Sequence, residues 1–344
     1  MELWTYDEVV THLKSGKKPV SLLMGNGFSM AYDREIFSYN ALYDFLASKD
    51  DEMLNKLFGV IKTKNFELVM QQLDTTLSLL DAFGGAPELK EKIETASKKL
   101  QETLLKSVQE LHPEHVYKIP EEKSNACSNF LKFFVENNGH MFTTNYDLLL
   151  YWVLMRTGID AVDGFGQEVT NPLEVGEGVE AELSELFWGP NAAGQNVHYL
   201  HGALHLFDVG STIEKEQYDS NGYLLENITE RLNHSEYPIF VTAGDGGQKL
   251  EHIRHNRYLS YCYDTLSELD GYLVTFGFNF GKYDDHIIDA INRACRGKTK
   301  KPPKLWSVYI GVYSDEDIEH IKSIEHKFHP KVRIFDAKTA PVWN

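Results

Sequence analysis

The chain has 344 residues, of which 42% are hydrophobic and 25% are charged, and its 51 acidic and 34 basic side chains give a formal net charge of -17. These proportions are typical of a globular protein with one or two domains. Because an acidic surface repels phosphate backbones, direct nucleic-acid binding is not expected as the main activity.

Membrane insertion and secretion are not expected either. The longest uninterrupted apolar run, residues 148–155, is far shorter than the roughly 20 residues of a membrane-spanning helix. The first ten residues lack the basic and then apolar order of a secretion signal. We therefore predict a cytoplasmic protein that does not bind membranes.

The cysteines predict neither disulfides nor a metal site. Cys127, Cys262 and Cys295 are odd in number and far apart, so they form no disulfide framework and no Cys-x-x-Cys metal motif. No bound metal is expected.

The first third of the chain begins with a short predicted helix at residues 6–13 and an apolar strand at residues 20–24. The glycine-rich turn Gly25-Asn26-Gly27-Phe28-Ser29 follows this strand directly. From residue 39 to residue 111, apolar side chains recur at spacings of three and four, which is typical of helices. The pattern predicts a large helical insertion over residues 35–125.

The middle of the chain contains a second strand-turn-helix unit and a polar segment. Glutamates, glycines and prolines dominate residues 164–195, which predicts a solvated surface excursion. The other predicted elements, in order, are a helix at 124–137, a strand at 139–144, a helix at 148–155, strands at 197–200 and 204–209, and a helix at 223–233.

The last third alternates between strands and helices. Predicted strands at 238–242, 272–276, 305–312 and 332–335 are separated by predicted helices at 250–266, 284–296 and 314–328. Connections of this length are crossovers, which indicate a parallel sheet buried on both faces. The predicted fold is therefore α/β, with one Rossmann-like parallel sheet built from residues 1–34 and 126–344 around the helical insertion.

Four segments that end predicted strands carry the candidate chemistry. They are the Gly25 to Ser29 turn, Thr143-Thr144-Asn145-Tyr146-Asp147, Tyr199-Leu200-His201-Gly202, and Gly277-Phe278-Asn279. Parallel strands bring their carboxyl ends to one edge of a sheet, where open α/β folds bind ligands. Taken singly, each segment has a plainer interpretation: a tight turn, a helix cap at Asn145, or one structural histidine among fourteen.

Together, in this order and spacing, the GxGxS turn, TTNYD, LHG and GFNF followed by Tyr283-Asp284-Asp285-His286-Ile287 resemble the sirtuin-like domains of prokaryotic antiphage defence proteins. The resemblance implies a Rossmann-like sheet of sirtuin type that binds NAD. It also implies hydrolysis of NAD to ADP-ribose and nicotinamide, as in a defence effector that depletes cellular NAD when it is triggered.

The resemblance assigns roles to particular residues. Asn145 would order the ribose or the attacking water, and His201 would be the general base. The implied cofactor-binding residues are Gly25, Asn26, Gly27, Ser29, Thr144, Asp147, Gly277 and Asn279. Asn279 stands where the family has serine at the adenosine ribose.

The expected acceptor of the ADP-ribosyl group depends on whether the sequence contains a zinc module. Deacylase-type sirtuins carry a zinc module with four cysteines, and three scattered cysteines do not supply one, so water is the preferred acceptor. Two alternatives stay open: a protein deacylase or ADP-ribosyl transferase, and a non-enzymatic nucleotide-binding scaffold subunit. The resemblance further implies a homo-oligomer and a HerA-type hexameric translocase ATPase as a partner.

Overall fold

The computed structural model describes residues 3–49, 51–64, 66–85, 87–113, 115–169, 183–217, 223–234, 236–241, 245–296 and 304–344. The strands in these ranges are β1 (Val20–Met24), β2 (Met141–Thr143), β3 (Phe165–Gly166), β4 (Phe187–Trp188), β5 (Val197–Tyr199), β6 (Gly202–Asp208), β7 (Ile213–Lys215), β8 (Pro238–Phe240), β9 (Gly271–Phe276), β10 (Leu305–Val312) and β11 (Lys331–Asp336).

The helices range in length from one turn to seven turns. They are α1 (Tyr6–Gly16), α2 (Asn26–Tyr32), α3 (Arg34–Phe37), α4 (Tyr39–Ser48), α5 (Glu52–Ile61), α6 (Phe66–Ala82), α7 (Pro87–Leu111), α8 (Glu121–Glu136), α9 (Leu149–Thr157), α10 (Leu224–Asn233), α11 (Gly246–His255), α12 (Arg257–Ser267), α13 (Asp285–Arg296) and α14 (Asp315–Ile324). No helix in the described ranges combines the length and apolar character that a membrane crossing requires.

A six-stranded sheet in the order β11-β10-β9-β1-β2-β5 lies at the centre of the fold. Every pair of neighbouring strands in it is parallel. All five residues of β1 are buried, because a central parallel strand is covered by helices on both faces. The α/β class and the parallel sheet predicted from the alternating pattern are confirmed.

A second sheet, of five antiparallel strands in the order β3-β4-β7-β6-β8, lies beside the first. It corrects two expectations. The predicted strand at residues 238–242 joins this antiparallel sheet through β6 rather than the parallel one. The predicted surface excursion at residues 164–195 supplies β3 and β4 at its two ends, while residues 170–182 lie outside the described ranges. Two-residue strands are too short to leave an alternating pattern.

The predicted helix at residues 250–266 is two helices. Asn256 has an extended backbone between α11 and α12, and its side chain accepts a hydrogen bond from the Leu259 amide. Asparagine is a favoured helix N-cap, so it starts a new helix here at the cost of interrupting the first.

The helical insertion has a hydrophobic core of its own. The buried residues of this core are Leu46, Leu54, Phe58, Phe66, Val69, Met70, Leu73, Ala96, Leu100 and Leu104, all from α4 to α7. Val116 and Ile119, by contrast, belong to the main core around the parallel sheet. The chain therefore rejoins the main core by residue 116, about ten residues before the predicted boundary at residue 126.

Candidate functional site

The four segments singled out in the sequence lie side by side. They follow β9, β1, β2 and β5, which are consecutive strands of the parallel sheet. Because these strands run in one direction, their carboxyl ends form a continuous edge. The fold thus brings together residues that are up to 254 positions apart in the chain.

This edge forms the floor of a cavity of about 1140 Å³. Eight of the ten predicted site residues line it: Asn26, Gly27, Thr144, Asn145, Asp147, His201, Gly277 and Asn279. Gly25 and Ser29 are not among the lining residues. Its volume is slightly above the roughly 300–1000 Å³ that is usual for small-molecule sites, so it suits a large ligand.

The glycine turn packs against the end of β9. The Gly25 amide donates to the Phe276 carbonyl (3.1 Å), and the Gly27 amide donates to the Gly277 carbonyl (2.9 Å). A Cβ atom on Gly27 would lie 2.5 Å from the Gly277 Cα. Both glycines are therefore needed for close contact between two strand ends, and both amides already have acceptors. The geometry gives both glycines a packing role, and the contact with a pyrophosphate stays a prediction.

Ser29, a predicted ligand contact, is not among the residues that line the cavity. Its side chain is fully buried, and its hydroxyl donates to Asp147 Oδ2 (2.5 Å) and accepts from Asn145 Nδ2 (2.8 Å). Asp147 Oδ1 in turn accepts from the Leu149 amide (2.9 Å) at the start of α9. Ser29 therefore orients Asn145 instead of lining the cavity. With its amide nitrogen engaged, Asn145 has its side-chain carbonyl oxygen as the acceptor available to a ligand or water.

The helical insertion is tied to this network through His112. His112 directly follows α7, and its Nε2 accepts from the Leu148 amide (2.9 Å) while its Nδ1 lies 3.0 Å from the Pro113 carbonyl oxygen. The ring is therefore neutral, with its proton on Nδ1. Burial lowers the pKa of His112, and the nearby Asp147 carboxylate opposes that shift.

His201 lies in the turn between β5 and β6, and it has a partner that sequence reasoning missed. Its Nε2 is 2.9 Å from Nε2 of His286, in the first turn of α13. Burial lowers the pKa of both rings, to about 3 for His286, and the nearby Lys249 acts in the same direction. Both imidazoles are thus neutral at physiological pH.

Lys249 and Asp284 complete the polar groups beside His201. Lys249 Nζ lies 3.4 Å from Asp284 Oδ1, and the lysine side chain is 3% exposed. Asp284 and His286 belong to the segment that follows the GFNF motif, so the sequence did contain a signal for them. Lys249 gave none, since it lies inside an otherwise ordinary helix.

The site belongs to an α/β protein with its polar groups at the carboxyl edge of a parallel sheet. Within the part of the chain that the structure describes, no three His, Cys, Asp or Glu side chains are grouped so that they would hold a metal ion. The family model described as "Domain of unknown function (DUF4917)" matches residues 22–343. The chain therefore belongs to the DUF4917 family, and the match spans both sheets and the helical insertion. A search of curated proteins gave no match.

Proposed function

We propose that the cavity binds NAD and that the protein hydrolyses it to ADP-ribose and nicotinamide. One observation carries the proposal: Asn145 and His201 both line a cavity at four consecutive parallel strand ends. The position agrees with the ligand site of open α/β sheets, and the volume suits a dinucleotide. The sirtuin-like motifs supply the choice of NAD among dinucleotides.

The chemistry requires a water molecule and a base. The bond from the anomeric carbon to nicotinamide breaks, and its electron pair leaves with nicotinamide, which becomes neutral. Water adds at the anomeric carbon, and His201, as a neutral imidazole, takes the proton that is released. Asn145, held by Ser29, orients the water or the ribose hydroxyl, which lowers the entropic part of the barrier.

The insertion supports water as the acceptor. Phe66, Leu104 and Leu111, from α6 and α7, form part of the cavity wall. A wall of apolar side chains at this place takes up space that a peptide substrate would need. The cysteines also argue against the zinc module of a deacylase, because Cys127 and Cys262 are free and buried at separate places in the main core.

The role of a defence effector that depletes NAD belongs to the proposal as well. It rests on the sirtuin-like motifs, as do self-association and a translocase ATPase as a partner. Unregulated NAD hydrolysis would harm the host cell, so the insertion, which contacts the Asn145 segment through His112, is the natural place for control.

Nicotinamide release from NAD tests the activity. We expect the wild type to release nicotinamide, and His201→Ala and Asn145→Ala each to lower kcat at least about a hundredfold. Their double variant should be little worse than either, because the two residues act on one transition state. His234→Ala is the control, since His234 is exposed and bonds only to its own helix within the described structure.

The alternatives give different results in the same assay. Release that depends on an added acyl-lysine peptide would indicate a deacylase or transferase. Binding of NAD by calorimetry without release would indicate a scaffold subunit. The proposal would be contradicted if the protein did not bind NAD and released no nicotinamide from it.

A further inference from the structure

The contact between His201 and His286 links the protonation of two rings. Their Nε2 atoms are 2.9 Å apart and the ring planes are inclined by 24°. The residues are 3% and 1% exposed. His201 lines the cavity, whereas His286 is not among the lining residues, so His286 lies behind the ring that faces the ligand.

A hydrogen bond between two Nε2 atoms needs one donor and one acceptor. A neutral imidazole carries one N–H group and one bare nitrogen. If one ring has its proton on Nε2, the other must have its proton on Nδ1. The tautomer of His201 is therefore determined by that of His286, and the reverse also holds.

Only one of the two arrangements leaves His201 able to accept a proton. If His201 donates from Nε2, its Nδ1 is bare and can act as a base. If His286 donates instead, both nitrogens of His201 are occupied, one by its own hydrogen and one by the hydrogen bond. The first arrangement places a hydrogen on Nδ1 of His286.

Nδ1 of His286 is buried and has no hydrogen-bond partner within the described residues. The cavity therefore decides between the two arrangements. His201 lines it, and the proposed hydrolysis needs a bare nitrogen on His201 to take the proton. The hydrogen then lies on Nδ1 of His286, and Nε2 of His286 is the acceptor.

We propose that His286 is a positioning residue that holds His201 as the Nε2–H tautomer, with Nδ1 of His201 free to take a proton from the ligand or water in the cavity. This inference rests on the proposed NAD hydrolysis. When His201 accepts the proton it becomes an imidazolium, and its Nε2–H group remains hydrogen-bonded to the bare Nε2 of His286. The proton later passes to solvent, which restores the neutral pair.

Two substitutions of His286 separate positioning from packing. His286→Gln keeps a side chain that extends about as far as Nε2 and has a carbonyl oxygen to accept from His201. His286→Leu fills part of the same space without an acceptor. We expect kcat to fall at least about tenfold in His286→Leu with KM little changed, and His286→Gln to recover most of that loss.

His205→Phe is the matched control. His205 is also fully buried, it is not among the cavity-lining residues, and neither of its ring nitrogens has a partner in the described structure. Its replacement removes a buried histidine without touching the pair, so kcat should stay near that of the wild type. Equal losses in His205→Phe and His286→Leu would overturn a positioning role.

The tautomer itself can be read without any enzyme assay. In protein labelled with ¹⁵N-histidine, the side-chain resonances of His201 are identified by their loss in His201→Gln. We expect a protonated Nε2 and a bare Nδ1 in the wild type and in His286→Gln, and a mixture of tautomers in His286→Leu. A protonated Nδ1 of His201 in the wild type would overturn the inference even if NAD is cleaved.

The spectrum also distinguishes this inference from the proposed function. If the wild type shows the expected tautomer but releases no nicotinamide, the proposed function fails while the pairing stands. Dialysis against a chelator tests whether a metal ion joins the two Nε2 atoms, since a metal ion there would need both nitrogens to be bare. A change in the His201 resonances after dialysis would replace the hydrogen bond by a metal bridge and overturn the inference.

Discussion

At the scale of single residues, the hydroxyl of Ser29 connects Asp147 to Asn145. It is the only atom that joins the two side chains in the described structure, through bonds of 2.5 and 2.8 Å. A carboxylate that accepts a short bond from a hydroxyl orients it firmly. The amide of Asn145 is thereby held with its carbonyl oxygen away from Ser29, and a change at this buried position reaches the cavity through Asn145.

Ser29→Ala should therefore reduce both stability and turnover. It leaves Asp147 Oδ2 and Asn145 Nδ2 buried without this partner, which we expect to cost about 1–3 kcal/mol in the free energy of unfolding. We also expect kcat for NAD cleavage to fall more than KM rises, because Ser29 is not among the residues that line the cavity. Urea unfolding and steady-state kinetics measure the two effects.

Ser124→Ala is the control for Ser29→Ala. The Ser124 hydroxyl is buried in α8 and has no hydrogen-bond partner within the described residues. Its loss should change the unfolding free energy by no more than about 0.5 kcal/mol. Equal effects of the two substitutions would show that the Ser29 hydroxyl does not hold the network.

At the scale of structural elements, the contact between the glycine turn and the end of β9 sets how α2 leaves the sheet. Gly277 has a φ of +65°, and a Cβ on it would lie 2.4 Å from the Phe28 nitrogen. Gly27 and Gly277 are thus complementary parts of one backbone contact.

Gly27→Ala should be destabilising, because its Cβ would meet the Gly277 Cα at 2.5 Å. We expect a loss of about 1–3 kcal/mol, as for other overpacked positions. Gly59→Ala is the matched comparison: Gly59 lies in α5 with nothing within 4 Å of its Cβ position, so we expect a gain of about 0.5–1 kcal/mol. Urea unfolding of both variants checks the contrast, and an unchanged stability of Gly27→Ala would contradict the packing role.

The link from the insertion to the Asn145 segment is the second feature at this scale. His112→Phe removes the acceptor of the Leu148 amide. We expect faster hydrogen exchange in the peptide that contains residues 145–149, together with lower kcat for NAD cleavage. In His234→Phe, a substitution of an exposed histidine, both should match the wild type. Unchanged exchange in His112→Phe would show that the insertion does not hold this segment.

At the scale of the whole molecule, buried neutral histidines make stability depend on pH. Burial lowers the pKa of each of them: His112, His140, His198, His201, His205 and His286. Between the lowered pKa and the unfolded value of about 6.5, the unfolded chain binds more protons than the folded one. The contribution of these histidines to the free energy of unfolding is therefore fully present above about pH 6.5 and is lost as the pH falls below it.

His205→Phe tests this dependence. Each histidine that stays neutral in the fold contributes a slope of about 1.4 kcal/mol per pH unit below its unfolded pKa. We expect the unfolding free energy of the wild type to decrease from pH 7 to pH 5, and the decrease to be smaller in His205→Phe. Urea unfolding at a series of pH values measures the slope. Identical slopes in the two proteins would contradict a neutral His205.

The strands that carry the candidate site were predictable, because each of them has a strong local signal. The β1 strand is an apolar run that ends in glycine, and β9 and β10 alternate with helices, so their bounds were close to those observed. The convergence of Asn145 and His201 followed from the parallel arrangement alone. Two strands of the antiparallel sheet, β6 and β8, were predicted as strands but assigned to the parallel sheet. Its β3 and β4 strands have two residues each, too few to form a pattern.

Hydrophobic period and glycine position are local properties, so the sequence was enough to predict the class of fold, the edge at which the site lies and eight of the residues that line it. Which side-chain atoms contact one another could be seen only in the folded protein. Ser29, which was predicted to contact the ligand, instead donates no contact to the cavity and holds Asn145. His286 contacts His201, which is 85 positions away in the chain. Contacts of this kind require atoms in distant segments to be placed to within a few tenths of an ångström, and no local pattern of residues encodes such positions.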